Sequence, residues 1–360
     1  MDHKIRLERL KTSIICREIK EYEINEEIIT THKPKAGDAA IFEVISIGKH
    51  PSIQGTNGNN RQIYPGDYIM CAFGARYATG QIEGYVPDQY HENYQILGKG
   101  GVVGIMTSMH SSLLKKGATE VKLIGYLTAN GKVINTKYLD QKRVRFNPNK
   151  KRKAKVILSL GASMDSGKTT SAAYLCRGIL SAGKRVAYFK LTGTVYGKDK
   201  AMVKDCGALF VADFGNYGFP STYMCSKAEM LDLYENLLNM VEKENIEYVV
   251  VEIADGLLQR ETNMLIKDQP FMSTVHNILF SGGDSLSALL GYKMLADWGY
   301  TPVALSGLFS ASPLLVREVE EQLDMPILTL DKLSSPEVIE VFEKSLLKKM
   351  EMPFALSLCS

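Results

Sequence analysis

One stretch constrains this chain more than any other: Gly161-Ala-Ser-Met-Asp-Ser-Gly-Lys-Thr-Thr170. It follows a short apolar run, Val156-Ile-Leu-Ser-Leu160, that reads as a buried strand. It precedes Ser171-Ala-Ala-Tyr-Leu-Cys176, which reads as the opening of a helix. Counted from Ala162, the spacing is A-x-x-x-x-G-K-T, a relaxed form of the phosphate-binding loop. Each residue type has a physical reason. Gly167 permits backbone angles that a Cβ disfavours and lets the main chain come close to an anion. The loop amides and the positive end of the following helix then point at phosphate. Lys168 is expected to reach the β- and γ-phosphates, and the Thr169 hydroxyl to hold Mg²⁺. The expected nucleotide-binding stretch is therefore Ala162, Ser163, Met164, Asp165, Ser166, Gly167, Lys168, Thr169 and Thr170, with ATP and Mg²⁺ as cofactors. ATP and GTP stay open, although the N-K-x-D tetrad of G proteins is absent.

The rest of the composition excludes more than it assigns. The chain has 360 residues, enough for two domains or three. Its 45% hydrophobic and 23% charged residues are ordinary for a globular protein with sizeable cores. A net charge of +3 gives no global affinity for polyanions. Six scattered cysteines without a C-x-x-C pair favour reduced thiols over disulfides or zinc. No apolar run approaches a membrane span, and Met1-Asp-His-Lys4 opens no signal peptide. A soluble cytoplasmic protein without a membrane partner is the expectation.

Texture divides the chain into a β-rich domain over residues 1–150 and an α/β domain over 151–360. The first 35 residues settle on neither period. Strands are then expected at 39–47, 68–73 (after the turn Pro65-Gly66-Asp67), 81–86 and 101–109. Residues 122–136 carry a hairpin signal, two β-rich runs around Asn130-Gly131. Short strands with Gly/Asn turns suggest a small barrel or sandwich. Residues 54–61 read as a polar, mobile loop. The basic run from Lys142 to Lys155, with Pro148 inside it, reads as a linker. It lacks the aromatic interleaving of a nucleic-acid surface, and nucleic acid is not an expected partner.

Beyond residue 155, strands and helices alternate, the mark of a mainly parallel sheet flanked by helices. Strands are expected at 185–191, 208–212, 248–252, 277–280, 302–305 and 326–330, with helices near 284–298, 312–324 and 335–350. Gly183 is a plausible helix C-cap, and Ser226-Lys-Ala-Glu229 is a capping box. Glu252 closes the apolar run Tyr248-Val-Val-Val251, at the sheet edge where open α/β folds hold nucleotides. A structural acid is its plain alternative; beside a phosphate loop, a role at Mg²⁺ is the favoured one. Asp255 is a second candidate. Asp284, in Gly282-Gly283-Asp284-Ser285, reads as a helix N-cap.

These segments together resemble dethiobiotin synthetase. Gly161 to Thr169 has the length and ending of that family's G-T-D-T-x-V-G-K-T loop. Val251-Glu-Ile-Ala-Asp-Gly-Leu-Leu258 is similar to its V-E-G-A-G-G-L-L. Tyr188-Phe-Lys190 stands where those enzymes carry Y-K-P, with a lysine facing substrate and phosphates. The resemblance covers roughly residues 155–335 and implies a P-loop NTPase of the dethiobiotin synthetase-like (SIMIBI) branch. It implies catalytic roles for Lys168, Lys190 and Glu252, and places Asp165, at an often acidic loop position, near the metal or substrate. Departures are Ser163 for the family's aspartate, Ile253-Ala254-Asp255 after the glutamate, and Leu191 for the proline. They imply a different substrate pocket.

The leading expectation is an ATP- and Mg²⁺-dependent enzyme that activates a small-molecule acceptor by phosphoryl transfer or ligase chemistry. Two alternatives stay beside it. One is a nucleotide-dependent switch or assembly ATPase whose N-terminal β domain binds a partner. The other is a group transferase that keeps the fold without using ATP. A homodimer is the expected assembly.

Overall fold

Strands that are apolar on both faces need cover on both, and a parallel sheet between helices supplies it. The computed structural model, which describes residues 9–139 and 142–343, contains such a sheet. Contacts divide the chain into two units. One holds the residues up to Val144 with Thr192–Lys198 and Asp213–Leu233; the other holds Arg145–Leu191, Asp199–Ala212 and the chain from Tyr234. The units are therefore not consecutive halves divided at 150/151, because two later segments return to the first.

The first unit is built from β1 (Lys11–Thr12), β2 (Glu23–Asn25), β3 (Ala39–Ser46), β4 (Ser52–Gln54), β5 (Asn60–Gln62), β6 (Tyr68–Phe73), β7 (Ile82–Tyr85), β8 (Tyr94–Gly98), β9 (Val102–Met109), β10 (Glu120–Ala129) and β11 (Lys132–Val133). Neighbouring strands run β6-β3-β10-β8-β9, and β9 pairs back onto β6 in parallel. The five strands close into a ring, which is the barrel of the two expected architectures. Phe42, Phe73 and Tyr94 fill it edge to face, with ring centroids 5.4–6.1 Å apart. β10 and β11 form the expected hairpin. Asn130 (φ 52°) and Gly131 (φ 71°) supply the two positive φ angles that a tight type I′ turn needs. Residues 54–61, expected as a bare loop, begin and end in strand: β4 and β5 pair antiparallel.

The rest of the chain alternates: β12 (Lys155–Gly161), α1 (Lys168–Ser181), β13 (Val186–Lys190), α2 (Lys198–Asp205), β14 (Phe210–Asp213), α3 (Lys227–Asn239), β15 (Tyr248–Glu252), α4 (Arg260–Ile266), α5 (Gln269–Met272), β16 (Asn277–Gly282), α6 (Ser285–Asp297), β17 (Ala304–Gly307), α7 (Pro313–Glu320) and α8 (Leu330–Ser334). The sheet order is β14-β13-β15-β12-β16-β17. The four pairings from β13 across to β17 are parallel. Ile157, Val250 and Leu279 of the sheet pack with Ala172, Leu175, Cys176 and Ile179 of α1, all fully buried. Small residues on α1 let it lie close to the strands. Local signals bound the helices as read: Gly183 (φ 75°) follows α1, with the Lys184 N–H bonded to Ile179 O at 3.1 Å. At α3, Glu229 N–H donates to Ser226 Oγ at 3.2 Å and Ser226 N–H to Glu229 Oε2 at 2.9 Å.

Two expectations need correction. Residues 326–330 form no strand; Ile327 alone makes a bridge, to Leu305. Thr329 caps α8 by accepting from the Lys332 N–H, so the chain turns into helix instead. The basic run is not a bare linker either. Arg152 pairs with the buried carboxylate of Glu235, and the Lys150 ammonium lies 2.8 Å from Glu242. Residues 338–343 are helical, and the remainder of the helix expected to residue 350 lies outside the described residues. No helix among the described residues is long and apolar enough to cross a membrane.

Candidate nucleotide site

Sheet order assembles the site. β12 lies between β15 and β16, so the strand that feeds the loop adjoins the strand that ends on Glu252. Register then sets Ser159 beside Glu252, and Glu252 beside Lys190. All three stand toward the carboxyl edge, where parallel sheets gather ligands.

The loop leaves β12 at Gly161 and re-enters regular structure at Lys168, the first residue of α1. Asp165 (φ 61°) and Gly167 (φ 92°) take left-handed angles, the second being the turn for which glycine is suited. The Ala162 N–H bonds Ser281 O at 2.9 Å, and Ser166 O accepts from the Leu308 N–H at 3.1 Å. Behind it, the chain after Glu252 presses close. A Cβ at Gly256 would stand 2.3 Å from Ala162 O, which only glycine avoids. The loop is thus held on both sides before any ligand arrives.

The Lys168 side chain folds back under the loop. Its ammonium donates to Ser163 O at 2.6 Å and lies 3.5 Å from Ser166 Oγ. Burial pulls its pKa below the ordinary lysine value, and the Glu252 and Asp255 carboxylates only partly counter that. A buried cation so placed gains from an anion in the loop, because the desolvation of its charge is incompletely offset.

Glu252 is 1% exposed, and three donors hold it. Thr169 Oγ1 donates to Oε1 at 3.0 Å, Tyr188 OH to Oε2 at 2.8 Å, and the Lys190 ammonium lies 3.1 Å from Oε1. Lys190 also pairs with Asp199. Burial works against the Lys190 charge, but Glu252 and Asp199 outweigh it and hold the ammonium above the ordinary lysine range. The β13–β15 register places Lys190 directly opposite Glu252, while Ser163 O holds Lys168.

The remaining expected residues are spread along the loop. Ser163 and Asp165 are exposed, and Met164 is half-buried. Thr170, with Gly167, borders a cavity of about 750 Å³ that is also lined by Leu308, Ser310 and Arg317. That is room for a nucleoside beside the loop. Asp284 caps α6, accepting from the Ser287 N–H at 2.7 Å, as its sequence context suggested. Tyr188 and Asp199 were missed. Tyr188 is two residues before Lys190 and so shares its strand face, a spacing that could have exposed it. Asp199 had no such signal.

The residues present fit Mg²⁺. The Thr169 hydroxyl and the Glu252 carboxylate are hard oxygen donors, the ligand type that ion prefers, and they already touch.

No protein-family model matches the chain, and no curated protein does. Solved structures give weak likenesses. The signal recognition particle receptor FtsY from Elizabethkingia anophelis in complex with GDP is 18% identical, with a TM-score of 0.37. That match covers 54% of this chain and 65% of the other, so the chain spans less than two thirds of that relative. The signal recognition particle 54 kDa protein from Aeropyrum pernix K1, also with GDP, is 17% identical over 57% of this chain and 51% of its own, with a TM-score of 0.35. Chloroplast FtsY from Physcomitrella patens is 16% identical over 56% and 67%, with a TM-score of 0.37. The resemblance to dethiobiotin synthetase rests on the loop, the motif around Glu252 and Tyr188-Phe-Lys190.

Proposed function

We propose that the chain binds a Mg²⁺–nucleoside triphosphate on Ala162–Thr170 and hydrolyses it slowly, as a nucleotide-dependent switch. The single observation that carries nucleotide binding is the meeting of the loop with Glu252 through Thr169, beside the buried Lys168. In this reading the loop amides and the Lys168 ammonium bind the β- and γ-phosphates. Thr169, with Glu252 behind it, would hold Mg²⁺, which when bound neutralises phosphate charge. Tyr188 and Lys190 fix the Glu252 carboxylate, so Thr169 is presented in one orientation. Water is the acceptor of the γ-phosphoryl group.

The arrangement of Lys190 favours hydrolysis over activation of a metabolite. The resemblance would have that lysine face substrate and phosphates, yet its ammonium is shared between Glu252 and Asp199. Phosphate release from ATP and from GTP, followed with and without Mg²⁺, tests the reading and names the nucleotide. Slow Mg²⁺-dependent release without an added acceptor is expected, on the order of 10⁻⁴ to 10⁻² per second as in unstimulated switches. Nucleoside diphosphate formed only when a pool of small metabolites is added would overturn it in favour of an acceptor-activating enzyme.

A further inference from the structure

The first unit contains a cavity of about 360 Å³ that the nucleotide site does not use, walled by Lys49, His50, Arg76, Gln81, Lys99 and Lys198 among others. Among the described residues, no carboxylate lines it. Lys49, Arg76 and Lys99 are half-buried, and Lys198 is exposed. None of the three lysines forms an ion pair with a described residue. The Arg76 guanidinium is pinned in place by Gln81 Oε1 at 2.8 Å and by the Leu97 carbonyl. Four cationic side chains thus converge from separate parts of the chain onto one concavity. Like charges gathered on a concave, partly desolvated wall repel each other and focus a positive potential into the space between them.

His50 adds a second observation. Its Nε2 lies 3.1 Å from Leu97 O, an acceptor, and 3.3 Å from Arg76 Nη1, a donor. Its Nδ1 is buried and has no hydrogen-bond partner among the described residues. Burial, then Arg76, push the imidazole pKa down to about 3, so the ring is neutral at ordinary pH. The wall therefore offers four cations and one neutral imidazole whose buried Nδ1 has no partner among the described residues. Structural packing alone leaves the lysine charges without counter-charge.

We propose that this cavity binds a small polyanion of metabolite size, carrying phosphate or clustered carboxylate groups, as the ligand of the first unit. The proposal stands apart from the nucleotide reading, because every lining residue belongs to the first unit. The volume admits one small molecule, and the charge requires at least two negative groups to engage the opposed lysines.

Calorimetric titration of the full chain near physiological salt tests it, with inorganic pyrophosphate in one arm and citrate in the other. At least one probe is expected to bind with a Kd below about 1 mM. Lys99→Met and Lys49→Met, which keep the stem and remove the charge, should each weaken it about tenfold or more. Because pyrophosphate also suits the phosphate loop, the cavity is read as the binding that persists in Lys168→Ala, which disables that loop; Lys132→Ala, at an exposed position elsewhere on the unit, should leave it unchanged. Tighter pyrophosphate binding marks a phosphorylated ligand and tighter citrate binding a polycarboxylate; either supports the site. Absence of binding by both probes up to about 10 mM, or binding insensitive to Lys49 and Lys99, overturns it. So does binding lost in Lys168→Ala, which would assign the anion to the nucleotide loop.

Discussion

Thr169 and Glu252 lie 83 residues apart in sequence and share a hydrogen bond of 3.0 Å. One stands in the first turn of the helix after the phosphate loop, the other at the end of the adjoining parallel strand. The bond ties the hydroxyl expected at Mg²⁺ to the acid expected beside it. Lys190 and Tyr188 hold that acid from behind. Charge, orientation and burial at this edge therefore depend on one carboxylate.

Replacing Glu252 by Gln keeps its shape and removes its charge. Nucleotide should still bind within a few-fold, because Lys168 and the loop amides are untouched. Mg²⁺-dependent hydrolysis should fall by roughly a hundredfold, about 2.7 kcal/mol of barrier. Lys190 keeps Asp199, so the fold should survive with a lowered Tm. Turnover and Tm measured on the same variant separate the roles: a lower Tm with unchanged turnover makes Glu252 purely structural.

The imidazole of His50 makes stability pH-dependent. Its pKa falls from 6.5 to about 3 on folding, through burial first and then Arg76. Between those values the unfolded chain binds a proton that the fold refuses. Stability is thus complete above pH 6.5 and is lost as pH falls toward 3, by about 1.4 kcal/mol per unit. His50→Gln retains an amide donor for Leu97 O and cannot titrate. Urea unfolding should show the wild-type advantage over this variant shrinking by about 2 kcal/mol between roughly pH 7 and pH 5. A constant difference would mean that His50 titrates normally.

A fragment ending at residue 150 should fold poorly. It lacks Thr192–Lys198 and Asp213–Leu233, which belong to the first unit. With them go buried Val195, Phe214 and Phe219, and the bonds from Thr136 to Gly218 O (2.7 Å) and between the Tyr85 and Tyr223 hydroxyls (2.8 Å). Burying each such apolar side chain stabilises by about 1.5–3 kcal/mol, comparable in sum to the whole stability of a small domain. Circular dichroism melting of the fragment should show no cooperative transition at the temperature of the full chain. An unchanged, cooperative transition would show that residues to 150 fold independently.

Local chemistry made much of this readable from sequence. The loop spacing, the apolar run closed by Glu252, the Asn130-Gly131 turn and the Ser226/Glu229 box each act over a few residues. What escaped depends on distant pairing. Closure of the barrel needs Ala72 to meet Val102, and nothing local to either residue signals that contact. The partner of Lys190 at Asp199 is set by how the chain turns after its strand, and the cationic cavity draws on four separated segments. Ile327 misled for the opposite reason: its apolar stretch reads as strand, but the Thr329 cap turns the chain into helix.

The central claim is that Ala162–Thr170 binds a Mg²⁺–nucleoside triphosphate, and calorimetric titration of a slowly hydrolysed triphosphate analogue into wild type and Lys168→Ala tests it most directly. The account predicts Mg²⁺-dependent binding by wild type. Losing the buried ammonium should weaken it by about 1.5–3 kcal/mol, roughly ten- to a hundredfold or more, in a variant with unchanged circular dichroism. Equal affinity in the two proteins, or no binding of adenine or guanine nucleotide by the wild type, would contradict it.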